Sequence, residues 1–258
     1  MILPKEKGAM EHLENNKNNL VKNIIGKIKA LLLDGEKWSG LGVRVISGSI
    51  LATLVLGVLW IGGFIFSIIV LLAALQMLRE WDRLTEKESS LWGVAGLFYI
   101  AIPCAAILYM RNIQIEGTEH AGLSMVLYVL FAVWATDIGA YFTGRIVGGA
   151  KLAPTISPSK TWAGLGGGMT AAGVVGGISH IFSPYPTTLL GAIMLGVVLA
   201  AVAQGGDLFE SWLKRRAGVK DSSTLIPGHG GLLDRVDGLM FTIPLFALLV
   251  CVFSLSRA

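Results

Sequence analysis

Charge, histidine and cysteine are all scarce in this chain: 15% of its 258 residues are charged, four are histidine and two are cysteine. Cys104 and Cys251 both fall inside apolar runs, without CxxC spacing or a histidine neighbour. Neither a disulfide framework nor a thiolate zinc site is expected, and both read as packing residues. No HExxH or similar pair occurs, and His12, His120 and His180 stand isolated, which argues against a zinc enzyme. The first forty residues are polar, rich in Asn and Lys, and lack the apolar core of a cleavable signal peptide.

What remains is apolar. Hydrophobic residues make up 53% of the chain and the mean hydropathy is +0.67, values of an integral membrane protein. A spanning helix needs roughly 20 mostly apolar residues. Seven runs approach that length: Val43–Trp60, Gly63–Leu78, Leu91–Met110, Leu123–Phe142, Trp162–Phe182, Thr187–Leu208 and Gly238–Leu255. Pro103 makes the third a candidate broken or re-entrant pair, and glycine makes the fifth a candidate irregular segment. The expectation is an all-α polytopic transmembrane bundle of seven spans, within a range of six to nine.

Cytoplasmic loops retain Lys and Arg. With a cytoplasmic N-terminus, all of the 21 Lys and Arg residues except Arg111 and Arg257 lie inside or at the inner edge of a span. Residues 1–40 form a polar arm and 41–258 the transmembrane catalytic domain. Within the arm, Leu20, Val21, Ile24, Ile25, Ile28, Leu31 and Leu32 share one helical arc opposite Lys22 and Lys29. That pattern suits a helix lying on an anionic membrane surface, the alternative being a solvated tail. Among the 33 glycines, Gly164/Gly168 and Gly173/Gly177 give small-xxx-small spacings. These predict close helix packing, with a homodimer interface as the alternative.

Polar residues concentrate in Ser211–Asp237, SWLKRRAGVKDSSTLIPGHGGLLDRVD, between the last two apolar runs. Asp207 and Asp234 come from the facing ends of those runs, an arrangement suited to hard-oxygen ligation of Mg²⁺ with open positions for phosphate. Ser211 lies one turn from Asp207. Asp237 opens the last span, where capping is the simpler explanation. Lys214, Arg215, Lys220 and Arg235, with Lys151 and Lys160 from the preceding loop, suit a polyphosphate, although juxtamembrane cations also serve topology. Asp137, deep in the fourth run, shares a face with Trp134 and Tyr141. A pocket-lining acid is favoured over a helix–helix ion pair. His229-Gly230-Gly231 permits close backbone approach to a ligand, or a plain turn. Ser159 is the expected cap of the fifth helix, with Lys160 beside its positive end.

Taken together, Ser211-x-Leu213-Lys214-Arg215, Lys220-Asp221 and Ile226-Pro227-x-His229-Gly230-Gly231-Leu232-x-Asp234-Arg235-Val236-Asp237 resemble, without departure, the signature of the phosphatidate cytidylyltransferases, or CDP-diacylglycerol synthases. Gly206-Asp207-Leu208-x-Glu210 and the stretch from Asp137 through Tyr141, Gly144-Arg145 and Lys151-Leu152 to Lys160-Thr161-Trp162 are similar too. The resemblance spans roughly Gly40 to the C-terminus. It implies Mg²⁺-dependent cytidylyl transfer from CTP to phosphatidic acid, giving CDP-diacylglycerol and pyrophosphate.

The expected catalytic group is Asp207, Asp234, Lys214, Asp221 and Asp237, with Asp207 and Asp234 on the metal. Ser211, Arg215, Lys220, His229, Gly230, Gly231, Arg235, Asp137, Tyr141 and Lys160 are expected to bind substrate. The expected setting is a bacterial cytoplasmic (inner) membrane with the site facing the cytoplasm, and no nucleic-acid partner. The alternatives are a CTP-dependent enzyme acting on another lipid phosphate or lipid alcohol and, from another class, a secondary transporter coupled through Asp137. The DGxxAR run of CDP-alcohol phosphotransferases is absent.

Overall fold

The computed structural model describes residues 38–115, 118, 120–182, 188–226 and 230–255, with backbone alone for 38–46 and 254–255. Residues 1–37 of the N-terminal arm and His229 lie outside these residues. Seven helices follow the seven apolar runs: α1 (Trp38–Ile61), α2 (Gly63–Thr85), α3 (Ser90–Arg111), α4 (Ala121–Ile146), α5 (Trp162–Ser179), α6 (Leu189–Arg216) and, after the one-turn α7 (Leu233–Val236), α8 (Leu239–Leu255). Five of them, α2 to α6, are long and apolar enough to cross a membrane, α5 when extended to Phe182; Ser47–Ile61 and Leu239–Phe253 are shorter apolar helices. The molecule is thus a helical membrane protein.

Pro103 does not break α3, which runs continuously past it. The glycine-rich α5 is likewise regular, ending in a single 3-10 turn, His180–Phe182. A hairpin of β1 (Lys151–Ala153) and β2 (Ser157–Thr161) departs from the all-α expectation. It also moves the cap of α5. Ser159 lies within β2, and the Thr161 hydroxyl accepts the Gly164 N–H at 3.0 Å instead. The Thr188 hydroxyl caps α6 in the same way, from Gly191 N at 3.0 Å.

Close approach of α5 to both neighbours absorbs the small-residue spacings within the chain. A Cβ on Gly164 or Gly168 would sit 2.9 Å from Ala140 O or 2.8 Å from Thr136 O of α4. One on Gly173 or Gly177 would meet Val197 and Ile193 of α6 at 3.2 and 3.4 Å. Backbones packed this closely gain dispersion contacts, which drive helix association in lipid because lipid tails remove the hydrophobic term.

Two apolar cores result. One surrounds α4 and includes Val129, Leu199, Phe246 and Val250. The other joins Met77, Trp81, Leu84, Ile100, Leu213, Leu233 and Met240, and it underlies the polar cassette. Large side chains on the outer faces of α1 to α3, such as Leu54, Phe64, Leu72 and Phe98, are exposed, as befits surfaces that meet hydrocarbon.

The chain's turns segregate to two ends. At one, Arg111 donates to Leu59 O at 2.8 Å and Trp60 O at 3.3 Å, satisfying terminal carbonyls of α1. At the other, the α2–α3 turn, the hairpin and the 217–238 segment meet. There Arg216 forms a bidentate pair with Glu88 at 2.5 and 2.7 Å and stacks on Trp92 and Trp212.

Candidate active site

The polar cassette begins as helix. Although hydropathy falls after Leu208, α6 continues to Arg216, so Asp207, Glu210, Ser211 and Lys214 recur at three- and four-residue intervals and share a face. Around that face the structure gathers two groups of carboxylates.

The first centres on Asp207. Lys160, at the end of β2, forms an ion pair with its Oδ2, and the Ser211 hydroxyl donates to Oδ1 at 3.3 Å. Asp137 of α4 lies within electrostatic range of Asp207, Lys160 and Arg235. Asp237, just before α8, accepts its neighbour Gly238 N–H at 2.7 Å. Burial, then the charges of Asp207 and Asp137, push the Asp237 carboxyl above the ordinary range. Gly206 allows this convergence: a Cβ there would stand 2.5 Å from Asp237 O. Three carboxylates thus lie within electrostatic range of one another, with Lys160 in contact with Asp207 and with Arg235 and Lys214 acting at longer range.

The second group centres on Asp234, which is buried in α7. Lys214 Nζ donates to Oδ1 at 2.6 Å, while Oδ2 accepts Ser222 N at 2.8 Å, the Ser222 hydroxyl at 2.9 Å and Gly231 N at 2.8 Å. Burial opposes ionisation of Asp234, but these bonds from Lys214, Gly231 and Ser222 outweigh it and hold the pKa at about 2. Lys214 also reaches buried Glu210 at 3.2 Å.

Other expected site residues are placed differently. Arg215 donates to Ile156 O and Val219 O, both at 3.3 Å, tying the hairpin to the loop. The Tyr141 hydroxyl accepts from Arg145 at 2.9 Å. Gly230 pairs with Ile226 in a two-bond bridge. Lys220, Asp221 and Arg235 are exposed on the cassette.

Three participants are absent from the expected site residues: Glu80, Ser222 and Glu210, the last named only within the resembling stretch. Glu80 is fully buried and accepts four hydrogen bonds, from Gln76, Ser223, Leu232 N and Leu233 N, with the Ser222 hydroxyl a further 3.1 Å neighbour. A signal for it existed. Met77, Glu80, Trp81 and Leu84 fall at i, i+3, i+4 and i+7, all on the buried stripe of α2.

Among the described residues, no three His, Cys, Asp or Glu side chains are grouped closely enough to hold a metal ion by themselves. Mg²⁺ ordinarily takes only one or two carboxylates, completing its shell with water and substrate phosphate. Asp207, with Asp137 and Asp237 nearby, fits that open donor set. Asp234 fits it less well, because Lys214 and three loop donors already engage its oxygens, against one lysine and one hydroxyl at 3.3 Å on Asp207.

A model described as "Cytidylyltransferase family" matches residues 87–253, from the α2–α3 turn into α8. A phosphatidate cytidylyltransferase of Brucella suis biovar 1 (strain 1330) is 34% identical over 84% of this chain and 95% of its own length. One of Rickettsia bellii (strain RML369-C) is 35% identical over 86% and 96%. One of Haemophilus influenzae (strain ATCC 51907 / DSM 11121 / KW20 / Rd) is 40% identical over 61% and 65%. With likeness extending over 95% and 96% of two of these relatives and the family match running across both carboxylate groups, the chain belongs to the cytidylyltransferase family.

Proposed function

We propose that this protein transfers the cytidylyl group of CTP to phosphatidic acid, forming CDP-diacylglycerol and releasing pyrophosphate. The observation that carries the reading is the alignment of proteins named phosphatidate cytidylyltransferase across 95% and 96% of their own lengths. The site's chemistry supports it. A phosphate monoester has a second pKa near ~6, so phosphatidic acid is largely a dianion at neutral pH and needs no general base. A phosphate oxygen of phosphatidic acid bonds to the α-phosphorus of CTP. The bond from that phosphorus to the bridging oxygen breaks, and pyrophosphate leaves with the electron pair. Charge neutralisation and in-line positioning are what the protein must supply.

Lys214, extended between Asp234 and Glu210, presents a fixed positive charge to the transferring phosphates. Lys160 exchanges its pairing with Asp207 for a substrate phosphate, while Arg215, Lys220 and Arg235 attract the triphosphate and lipid head group from the open side. Ser211 orients Asp207. Mg²⁺ held by Asp207, with Asp137 and Asp237 supporting, would offset negative charge on the triphosphate. This assignment replaces the expected Asp207–Asp234 ligand pair, because Asp234 is committed to Lys214 and the loop. Asp221 and the His229-Gly230-Gly231 turn complete the substrate-facing cassette.

Seven spans, a cytoplasmic N-terminus and a site facing the cytoplasm of a bacterial inner membrane complete the reading, supported by the positive-inside distribution. The test is pyrophosphate release by detergent-purified protein given CTP, phosphatidic acid and Mg²⁺, each omitted in turn. Release requiring all three, with a CDP-lipid appearing, is expected. Folded protein that releases pyrophosphate without phosphatidic acid, or performs no nucleotide chemistry, would overturn the proposal.

A further inference from the structure

We infer that Glu80, on α2 and therefore ahead of the matched region, is a positioning residue that holds the catalytic loop and, through it, the Lys214–Asp234 pair. Glu80 is fully buried at the foot of the second apolar core, between Met77 and Leu84 on the stripe that faces the loop. A carboxylate in such a place is tolerated only when its lone pairs are answered. They are. Oε1 accepts Gln76 Nε2 at 3.0 Å, the Ser223 hydroxyl at 2.8 Å and Leu232 N at 3.0 Å. Oε2 accepts Leu233 N at 2.8 Å and stands 3.1 Å from the Ser222 hydroxyl. Four of these five groups belong to the segment between Ser222 and Leu233, more than 140 residues along the chain.

The contacts link Glu80 to the reacting centre in two steps. The Ser222 hydroxyl lies between Glu80 Oε2 and Asp234 Oδ2, within hydrogen-bond distance of both. Asp234 in turn fixes Lys214 Nζ through its other oxygen. Gly231 records how tightly the loop is pressed onto this system. A Cβ there would collide with the Ser222 hydroxyl and come within 2.7 Å of Glu80 Oε2. Glu80 touches no substrate. It acts by fixing where the loop amides, and hence Asp234 and Lys214, stand.

This inference rests on the cytidylyltransferase reading for its catalytic consequence, but not for its structural one, and the experiment separates the two. Full-length Glu80→Gln, Glu80→Asp and Ser222→Ala proteins would be compared with wild type in detergent. Steady-state kinetics with CTP, phosphatidic acid and Mg²⁺ would be measured per folded molecule, alongside hydrogen exchange of the Ser222, Leu232 and Leu233 amides. Glutamine places an NH₂ donor against backbone donors. Its kcat and kcat/KM should fall together by about 10- to 100-fold, the scale of a small misplacement of catalytic groups, with faster exchange at all three amides. Aspartate keeps the charge and should recover part of both losses. Ser222→Ala should lower kcat in the same direction even if the Glu80 variants fold poorly. Asp82→Asn, exposed on the same helix, should change neither.

Wild-type kcat with unchanged amide protection in Glu80→Gln would overturn the inference. So would a reduced folded fraction with normal kcat per folded molecule. If wild-type protein performs no CTP chemistry, the enzyme reading falls, and the exchange data alone decide whether Glu80 anchors the loop.

Discussion

Two carboxylate groups meet one face of α6, one at Asp207 and the other where Asp234 of α7 binds Lys214, seven residues on, and they are answered in opposite ways. Around Asp234, hydrogen-bond donors saturate both oxygens and the acid is held in its charged form. Around Asp207, carboxylates approach one another with Lys160 as the direct ionic partner. The contrast separates an acid that organises a loop from acids with fewer donors around them. A satisfied carboxylate rigidifies its surroundings, whereas a crowded and under-compensated one carries an electrostatic cost that a bound cation removes.

Exchanging the acids one at a time is the strongest way to break this comparison. Asp207→Asn should reduce turnover by about a hundred- to thousandfold, the scale of losing one preorganised electrostatic group. It should also raise the Mg²⁺ concentration needed for half-maximal rate while leaving thermal stability near wild type. If Asp234→Asn shifts the Mg²⁺ requirement and Asp207→Asn does not, the two groups have been assigned the wrong way round.

Lys214→Met tests the satisfied group. It leaves Asp234 and Glu210 facing each other in a buried site, and unpairing a buried charge costs about 3–5 kcal/mol. A lower Tm in detergent is expected, partly restored when Asp234→Asn is added.

Acid pH probes the same group without mutation. The folded pKa of Asp234 is about 2, against an ordinary 3.8. A depressed carboxylate contributes stability that is fully present above 3.8 and is lost as pH falls toward 2. Exchange protection of the Ser222 and Gly231 amides should therefore persist through mildly acid pH and collapse in that window.

The smallest effect is expected at the Glu88–Arg216 pair, which is away from both groups. Arg216→Gln should leave turnover within about twofold of wild type, as exposed ion pairs contribute little, with a slight fall in Tm from the lost stacking on Trp92 and Trp212.

Hydropathy made the helical bundle legible, because apolar runs of spanning length have few other uses. The ends of those runs were harder to read. Hydropathy drops after Leu208, yet Glu210, Lys214, Arg215 and Arg216 are good helix formers, and α6 continues through them. Glu80 was obscured by its neighbours: Arg79-Glu80-Trp81-Asp82-Arg83 reads as a solvated charged run, and only its three- and four-residue spacing from Met77 and Leu84 marks it as inward. The hairpin was missed because strands of three and five residues carry too short a pattern to register. Most of the Asp207 group was visible as acids at helix ends. The division of labour between Asp207 and Asp234 was not, since it depends on which acid the loop's N–H groups reach.

Because α6 runs without a break from its apolar first turns to Lys214, the reactive groups have no independent height. Each residue adds about 1.5 Å along the axis, so the distance from hydrocarbon to Asp207 is set by the same rod that anchors the chain. A bilayer thicker or thinner than this helix prefers is met by tilting or by local deformation of the lipid. Either response raises or lowers the carboxylates relative to the head-group layer. On the proposed function, lipid thickness thereby enters the chemistry through the register between a helix and the surface it pierces.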